Sequence, residues 1–146
     1  GYEDWFKELA WRYPSKTSIN IRFSNELAQR IYAASDIFLM PSMFEPCGLS
    51  QIIAMRYGSI PVVRETGGLK DTVTQFDRSD VDKGNGFLFY EYNAHEMMYA
   101  LKRALAVYGN LREWRQLVFT AMHGDFSWTR SAKEYETLYE RLLLET

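Results

Sequence analysis

The chain has 146 residues, long enough to bury a core as one domain. Its 17 Lys and Arg against 19 Asp and Glu leave a formal charge of −2 with no basic run, which argues against nucleic acid or an anionic membrane as partner. The lone Cys47 excludes an internal disulfide and fits a reducing compartment, and no apolar run reaches membrane length.

Taken in order, residues 2–13 place Trp5, Phe6, Leu9, Ala10 and Tyr13 at helical spacing, an amphipathic helix stopped by Pro14. Ile19, Ile21 and Phe23 alternate through 18–23, which is a strand signal. Ser24 or Asn25 then caps a helix to about residue 34, with Leu27, Ala28, Ile31 and Tyr32 on one face. Residues 36–40 form a short apolar run of the kind found where a parallel strand is covered on both faces. A helix over 49–57 ends at Gly58, and 60–63 is the next strand. Thr66-Gly67-Gly68 reads as a turn and 69–73 as one helical turn. The polar stretch 77–85, closing on Gly84-Asn85-Gly86, reads as a mobile loop. A strand over 87–90 precedes helices at 94–108, 111–122 and 129–144, the last two capped by Asn110 and Ser127.

Strands alternating with helices predict an α/β fold, a parallel, right-handed sheet flanked by helices. Such sheets usually open on a strand, whereas this chain opens on a helix and on Gly1 rather than Met, with no signal peptide. That start reads as an excised fragment, with at least one strand, or a whole partner domain besides, expected upstream.

Ligands of open parallel sheets gather at the C-terminal ends of strands. Four stretches fall there: Phe23, the 41–50 loop, the 64–68 loop and the region of Asn93. Phe23 reads equally as a core aromatic or as a flat face for a planar base. Glu45, locked between Phe44 and Pro46 beside a helix start, reads better as an acceptor of hydroxyl hydrogen bonds than as a surface acid. Cys47 has no His near it in sequence and is not a nucleophile on this pattern. Its backbone N–H, with those of Gly48, Leu49 and Ser50, is the more useful group, because helix N-termini favour anions. Gly67 and Gly68 are either a plain turn or a second backbone loop facing the same ligand. His95 and His123 lack metal-ligand spacing, and no metal or cofactor is expected. Trp114, Leu117 and Val118, then Tyr135, Leu138, Tyr139 and Leu142, sit at helical spacing and read as core or interdomain packing.

The run Pro41-Ser42-Met43-Phe44-Glu45-Pro46-Cys47-Gly48-Leu49-Ser50-Gln51 resembles the bacterial glycogen synthases and plant starch synthases. So do the stretch from Tyr57 to Arg64, Thr66-Gly67-Gly68-Leu69-Lys70-Asp71-Thr72-Val73 and Asp125-Phe126-Ser127-Trp128, so the resemblance covers nearly the whole chain. It implies the later part of the C-terminal, nucleotide-sugar-binding domain of a two-domain GT-B glycosyltransferase, residues 1–146, with the terminal helix 129–146 packing toward a missing first domain. The implied activity is retaining transfer of glucose from ADP-glucose to the non-reducing end of an α-1,4-glucan, in a bacterial cytoplasm or a plastid stroma. Carried across by position, Glu45 contacts glucose hydroxyls and supports the developing positive charge. The amides of Cys47 and Gly48 also bind glucose, Leu49 and Ser50 bind the distal phosphate, and Phe23 stacks on adenine where relatives often have Tyr. Two departures stand out. The Arg and Lys that clamp the phosphates in the family have no counterpart here, and Ile53 stands where the wider superfamily carries a second Glu. The fragment is therefore expected to be inactive alone. The alternatives are another nucleotide-sugar or acceptor on the same fold, or a non-catalytic nucleotide- or glucan-binding module.

Overall fold

A computed structural model describes residues 1–144. Two compact units divide the chain, residues 1–30 and residues 31–146.

In the first unit, α1 (Tyr2–Arg12) opens with Glu3 and Asp4 at its positive end and stops at Tyr13, whose N–H reaches the Leu9 carbonyl at 2.9 Å. The Thr17 hydroxyl closes the following turn on the Tyr13 carbonyl at 2.9 Å. Residues 18–23 do not form a strand. Their alternation is genuine, but a strand is held by hydrogen bonds to a neighbour, and among the described residues no strand pairs with this segment. Helix α2 (Asn25–Ala34) begins where the Ser24 side chain accepts the Leu27 N–H at 3.2 Å, which makes Ser24 the cap. The helix runs on into the second unit.

The second unit carries β1 (Ile37–Met40), α3 (Ser50–Arg56), β2 (Ile60–Arg64), α4 (Gly67–Thr72), β3 (Phe87–Phe89), α5 (Ala94–Tyr108), α6 (Leu111–His123) and α7 (Trp128–Leu144). Among the described residues the sheet runs β1-β2-β3, parallel throughout, with Met40 opposite Val63 and Val63 opposite Leu88. This register brings the exits of all three strands to one edge. Side chains alternate across the sheet. On one face Ile60, Val62, Phe87 and Phe89 pack with Met55, Ala100, Ala104, Trp114, Leu117 and Ala121 from α3, α5 and α6. On the other, Val63 meets Leu69 and Val73, flanked by Met40 and Leu88. The α/β class read from the sequence stands.

Smaller differences have local causes. Gly67 and Gly68 open α4 instead of forming a separate turn before it, with Thr66 as N-cap. The 77–85 loop is tied down at its end, where buried Asn85 accepts the Thr74 N–H at 2.7 Å and donates to the Thr72 carbonyl at 3.0 Å. Trp114 and Leu117 are core, but Tyr135, Leu138, Tyr139 and Leu142 of α7 stay exposed. The last two positions of the expected 129–146 helix lie outside the described residues.

Candidate functional site

The loop leaving β1 is held from below by main-chain contact with the start of α4. The Glu45 carbonyl accepts the Gly68 N–H at 3.0 Å. A Cβ on Gly67 would lie 2.0 Å from the Glu45 oxygen, and one on Gly68 would lie 1.9 Å from the Cys47 oxygen. Gly67 also has φ +45, in the region that favours glycine. Both glycines therefore serve as the floor on which residues 45–47 rest, and the two loops read separately in the sequence are one assembly.

Gln51 locks the other side. It is fully buried on α3, and its Nε2 donates to the Gly48 carbonyl at 2.8 Å and to Thr72 Oγ1 at 3.0 Å, with the Cys47 carbonyl at 3.5 Å. The Thr72 hydroxyl in turn donates to the Gly68 carbonyl at 2.7 Å. One buried amide and one hydroxyl thus join α3, α4 and the loop between β1 and α3. The Gln51 Oε1 is buried without a hydrogen bond. The motif that contains Gln51 does not by itself reveal this role. The available signal was its spacing: Gln51, Ala54 and Met55 share the buried face of α3, so a polar group there needs internal partners.

With the carbonyls of Glu45, Cys47 and Gly48 turned inward, the N–H groups of Cys47, Gly48, Leu49 and Ser50 engage no acceptor among the described residues. Gly48 makes this possible at φ +72, where a Cβ would strike the Gln51 amide. Glu45 is half-buried and stands two residues before this run of donors, Cys47 is exposed and Leu49 is 71% exposed. Such an arrangement can meet an anion with fixed dipoles and a polyol with a carboxylate. Arg64 and Tyr92 flank the loop at the exits of β2 and β3, where the Arg64 Cζ lies 5.6 Å from the Tyr92 ring centroid.

Phe23 belongs to the first unit, 92% exposed, and follows no strand, so its placement at a strand end is corrected. Asn93 accepts the Glu96 N–H at 2.9 Å and is engaged as the cap of α5. His123 bonds the Phe119 carbonyl through Nδ1 at 2.8 Å. Ile53 lines a cavity of about 380 Å³ with Ile52, Arg56, Met122 and Phe126 between α3 and the α6–α7 corner, away from Glu45. The shifted titrations also lie elsewhere. Hydrogen bonds from Ser127 hold the Asp125 carboxyl below its ordinary value, and bonds from Ser79 do the same for Asp77.

Residues 1–116 match the model of a protein family described as glycosyl transferases group 1. The chain belongs to that family. The chain is 56% identical over 143 residues to the glycogen synthase of Clostridium acetobutylicum, a match that covers 97% of this chain and 30% of that protein. Among solved structures, the catalytic domain of starch synthase IV from Arabidopsis thaliana, bound to ADP and acarbose, superposes with a TM-score of 0.80 at 43% identity. That superposition covers 94% of this chain and 29% of that one. Sucrose-phosphate synthase from Thermosynechococcus elongatus, at 24% identity and a TM-score of 0.64, adds support for the fold alone. The chain thus spans about 30% of the length of the glycogen synthases it matches. Among the described residues, no helix is long and apolar enough to cross a membrane.

Proposed function

We propose that the intact protein carrying this chain is a glycogen or starch synthase, transferring glucose with retention from ADP-glucose to the non-reducing end of an α-1,4-glucan. This chain supplies the donor-nucleotide half and is inactive alone. ADP-glucose is a substrate, and no metal or cofactor is assigned. An earlier segment of the same protein supplies the phosphate clamp, and its N-terminal domain supplies much of the donor-glucose and acceptor site. The location that goes with this role is a bacterial cytoplasm or a plastid stroma.

The observation that carries the proposal is the set of unengaged N–H groups from Cys47 to Ser50, fixed beside the half-buried Glu45 on a glycine floor. Breaking the bond between the glucose anomeric carbon and the distal phosphate leaves negative charge on the departing ADP and positive charge on the sugar. Donors already fixed in place stabilise the phosphate charge more in the transition state than in the ground state. In this assignment Leu49 and Ser50 face the distal phosphate, and the Cys47 and Gly48 amides hold glucose. The Glu45 carboxylate accepts from glucose hydroxyls and supports the cationic sugar. Phe23 stacks on adenine. Gly67 and Gly68 act through the loop they carry. The 56% identity to a glycogen synthase supports the glucan-synthase reading, and the ADP held by the similar starch synthase IV supports the donor nucleotide.

The test uses the intact protein with glycogen as primer and a panel of nucleotide-sugars, with the anomeric configuration of the product read by NMR. Turnover is expected with ADP-glucose, and Glu45→Ala is expected to abolish it while the protein stays folded. Preference for a UDP-sugar or a non-glucan acceptor would move the assignment to another transferase of the fold. Absence of turnover with every donor would favour a binding module. Glucan elongation by the isolated chain would overturn the division of labour between the two halves.

A further inference from the structure

Arg64 is the last residue of β2, half-buried, and it stands where all three strands leave the sheet. Its Nε donates to the Tyr90 carbonyl, just past β3, at 3.1 Å. Its Nη1 donates to the Met43 carbonyl, just past β1. The same guanidinium lies over the Tyr92 ring, with 5.6 Å between Cζ and the ring centroid. Among the described residues it forms no ion pair with a carboxylate, so its charge is directed to two neutral carbonyls and an aromatic face. Only a planar fork with several donors in fixed directions can bond two divergent carbonyls and stack at once, and a lysine ammonium cannot reproduce that geometry.

The position of this staple matters. Met43 is two residues before Glu45, and the Arg64 bond is the hydrogen bond that its carbonyl accepts. On the far side of Glu45, the Gly68 N–H holds the Glu45 carbonyl. The carboxylate is therefore suspended between two anchors, one from β2 and one from α4. We propose that Arg64 is a positioning residue: by tying the exit of β1 to the exit of β3, it fixes the path of residues 41–45 and hence the placement of the Glu45 carboxylate. The kinetic part of this inference rests on the glycosyl-transfer function proposed above. A misplacement of about 1 Å at a reacting centre is enough to lower a rate on the order of 100-fold.

The experiment compares Arg64→Ala and Arg64→Lys with the unaltered intact protein, using ADP-glucose and glycogen, thermal melting, and peptide-resolved hydrogen exchange. Arg64→Ala is expected to lose kcat on the order of 100-fold while KM for the donor moves much less. Its melting temperature should stay close to that of the parent. Millimolar guanidinium should restore a substantial part of the lost rate in Arg64→Ala and none in Arg64→Lys. Exchange should quicken in peptides spanning 41–50, not in those of α5 and α6, and guanidinium should reverse it. A kcat that survives Arg64→Ala would overturn the inference, as would a loss that follows melting and ignores guanidinium. If the unaltered protein turns over no nucleotide-sugar, the functional proposal fails and the exchange pattern alone decides. Unchanged exchange at 41–50 would then dispose of the staple as well.

Discussion

Gly68 and Gly67 are the positions where a single methyl group reaches the site without touching any ligand. A Cβ on Gly68 falls 1.9 Å from the Cys47 oxygen, and that oxygen is backbone, so nothing flexible can yield. The loop must lift, which breaks the bond from the Gly68 N–H to the Glu45 carbonyl at 3.0 Å. Overpacking of this kind costs about 1–3 kcal/mol. Gly68→Ala is therefore expected to lower the unfolding free energy of the intact protein, read from chemical denaturation, by an amount in that range and to cut kcat more than it changes KM. Melting and kinetics indistinguishable from the parent would mean that the floor is softer than its geometry. The sequence made Glu45 and the glycine pair visible as separate features, because residue type and local spacing are local properties. Their stacking was not visible, since it depends on how two loops some twenty residues apart meet across β2.

At the scale of elements, α3 and α4 are both short, and their relative placement depends on the bridge between Gln51 and Thr72. Neither helix is long enough to be stable by propensity alone, so tertiary bonds fix its ends. The Thr72 hydroxyl accepts from Gln51 Nε2 at 3.0 Å and donates to the Gly68 carbonyl at 2.7 Å, so its removal disturbs two buried groups together. Thr72→Val keeps the shape and loses both bonds, which takes one acceptor from the buried Gln51 amide while its bond to the Gly48 carbonyl remains, and an unsatisfied buried N–H costs about 1–3 kcal/mol. The expected result is a lower midpoint for Thr72→Val with Thr72→Ser near the parent, read from chemical unfolding of the intact protein. Equal behaviour of Val and Ser would remove Thr72 from the clamp. Periodicity located nearly every helix and the three strands, because burial of a stripe or of both faces is written directly into residue order. It failed at 18–23, where the alternation of Ile19, Ile21 and Phe23 is present but no described strand pairs with it. Pairing is non-local, and alternation by itself does not supply a neighbour.

At the scale of the whole molecule, α7 is the element that its own unit does not explain. It runs from Trp128 to Leu144 with no buried residue, yet Tyr135, Leu138 and Tyr139 line one side at helical spacing. Their exposures are 59%, 48% and 61%, high for large apolar side chains that recur in a stripe. Exposed apolar patches on this scale usually mark a docking face. The similar glycogen synthases are more than three times as long as this chain, which spans about 30% of their length, so a cover for α7 within the same protein is available. We propose that the first domain provides it, as the sequence reading anticipated for residues 129–146. Burying a Leu side chain contributes about 1.5–3 kcal/mol relative to leaving it exposed. Leu138→Glu would forfeit that and place a charge in the interface. In the intact protein, Leu138→Glu combined with Tyr139→Glu is expected to lower the melting temperature and to speed proteolytic release of one domain from the other. The same pair of changes on a solvated helix would leave both unchanged, because each replacement keeps a side chain that helices accept. Unaltered melting and cleavage would mean that α7 faces water in the intact protein, and that whatever joins the two halves of the site lies elsewhere.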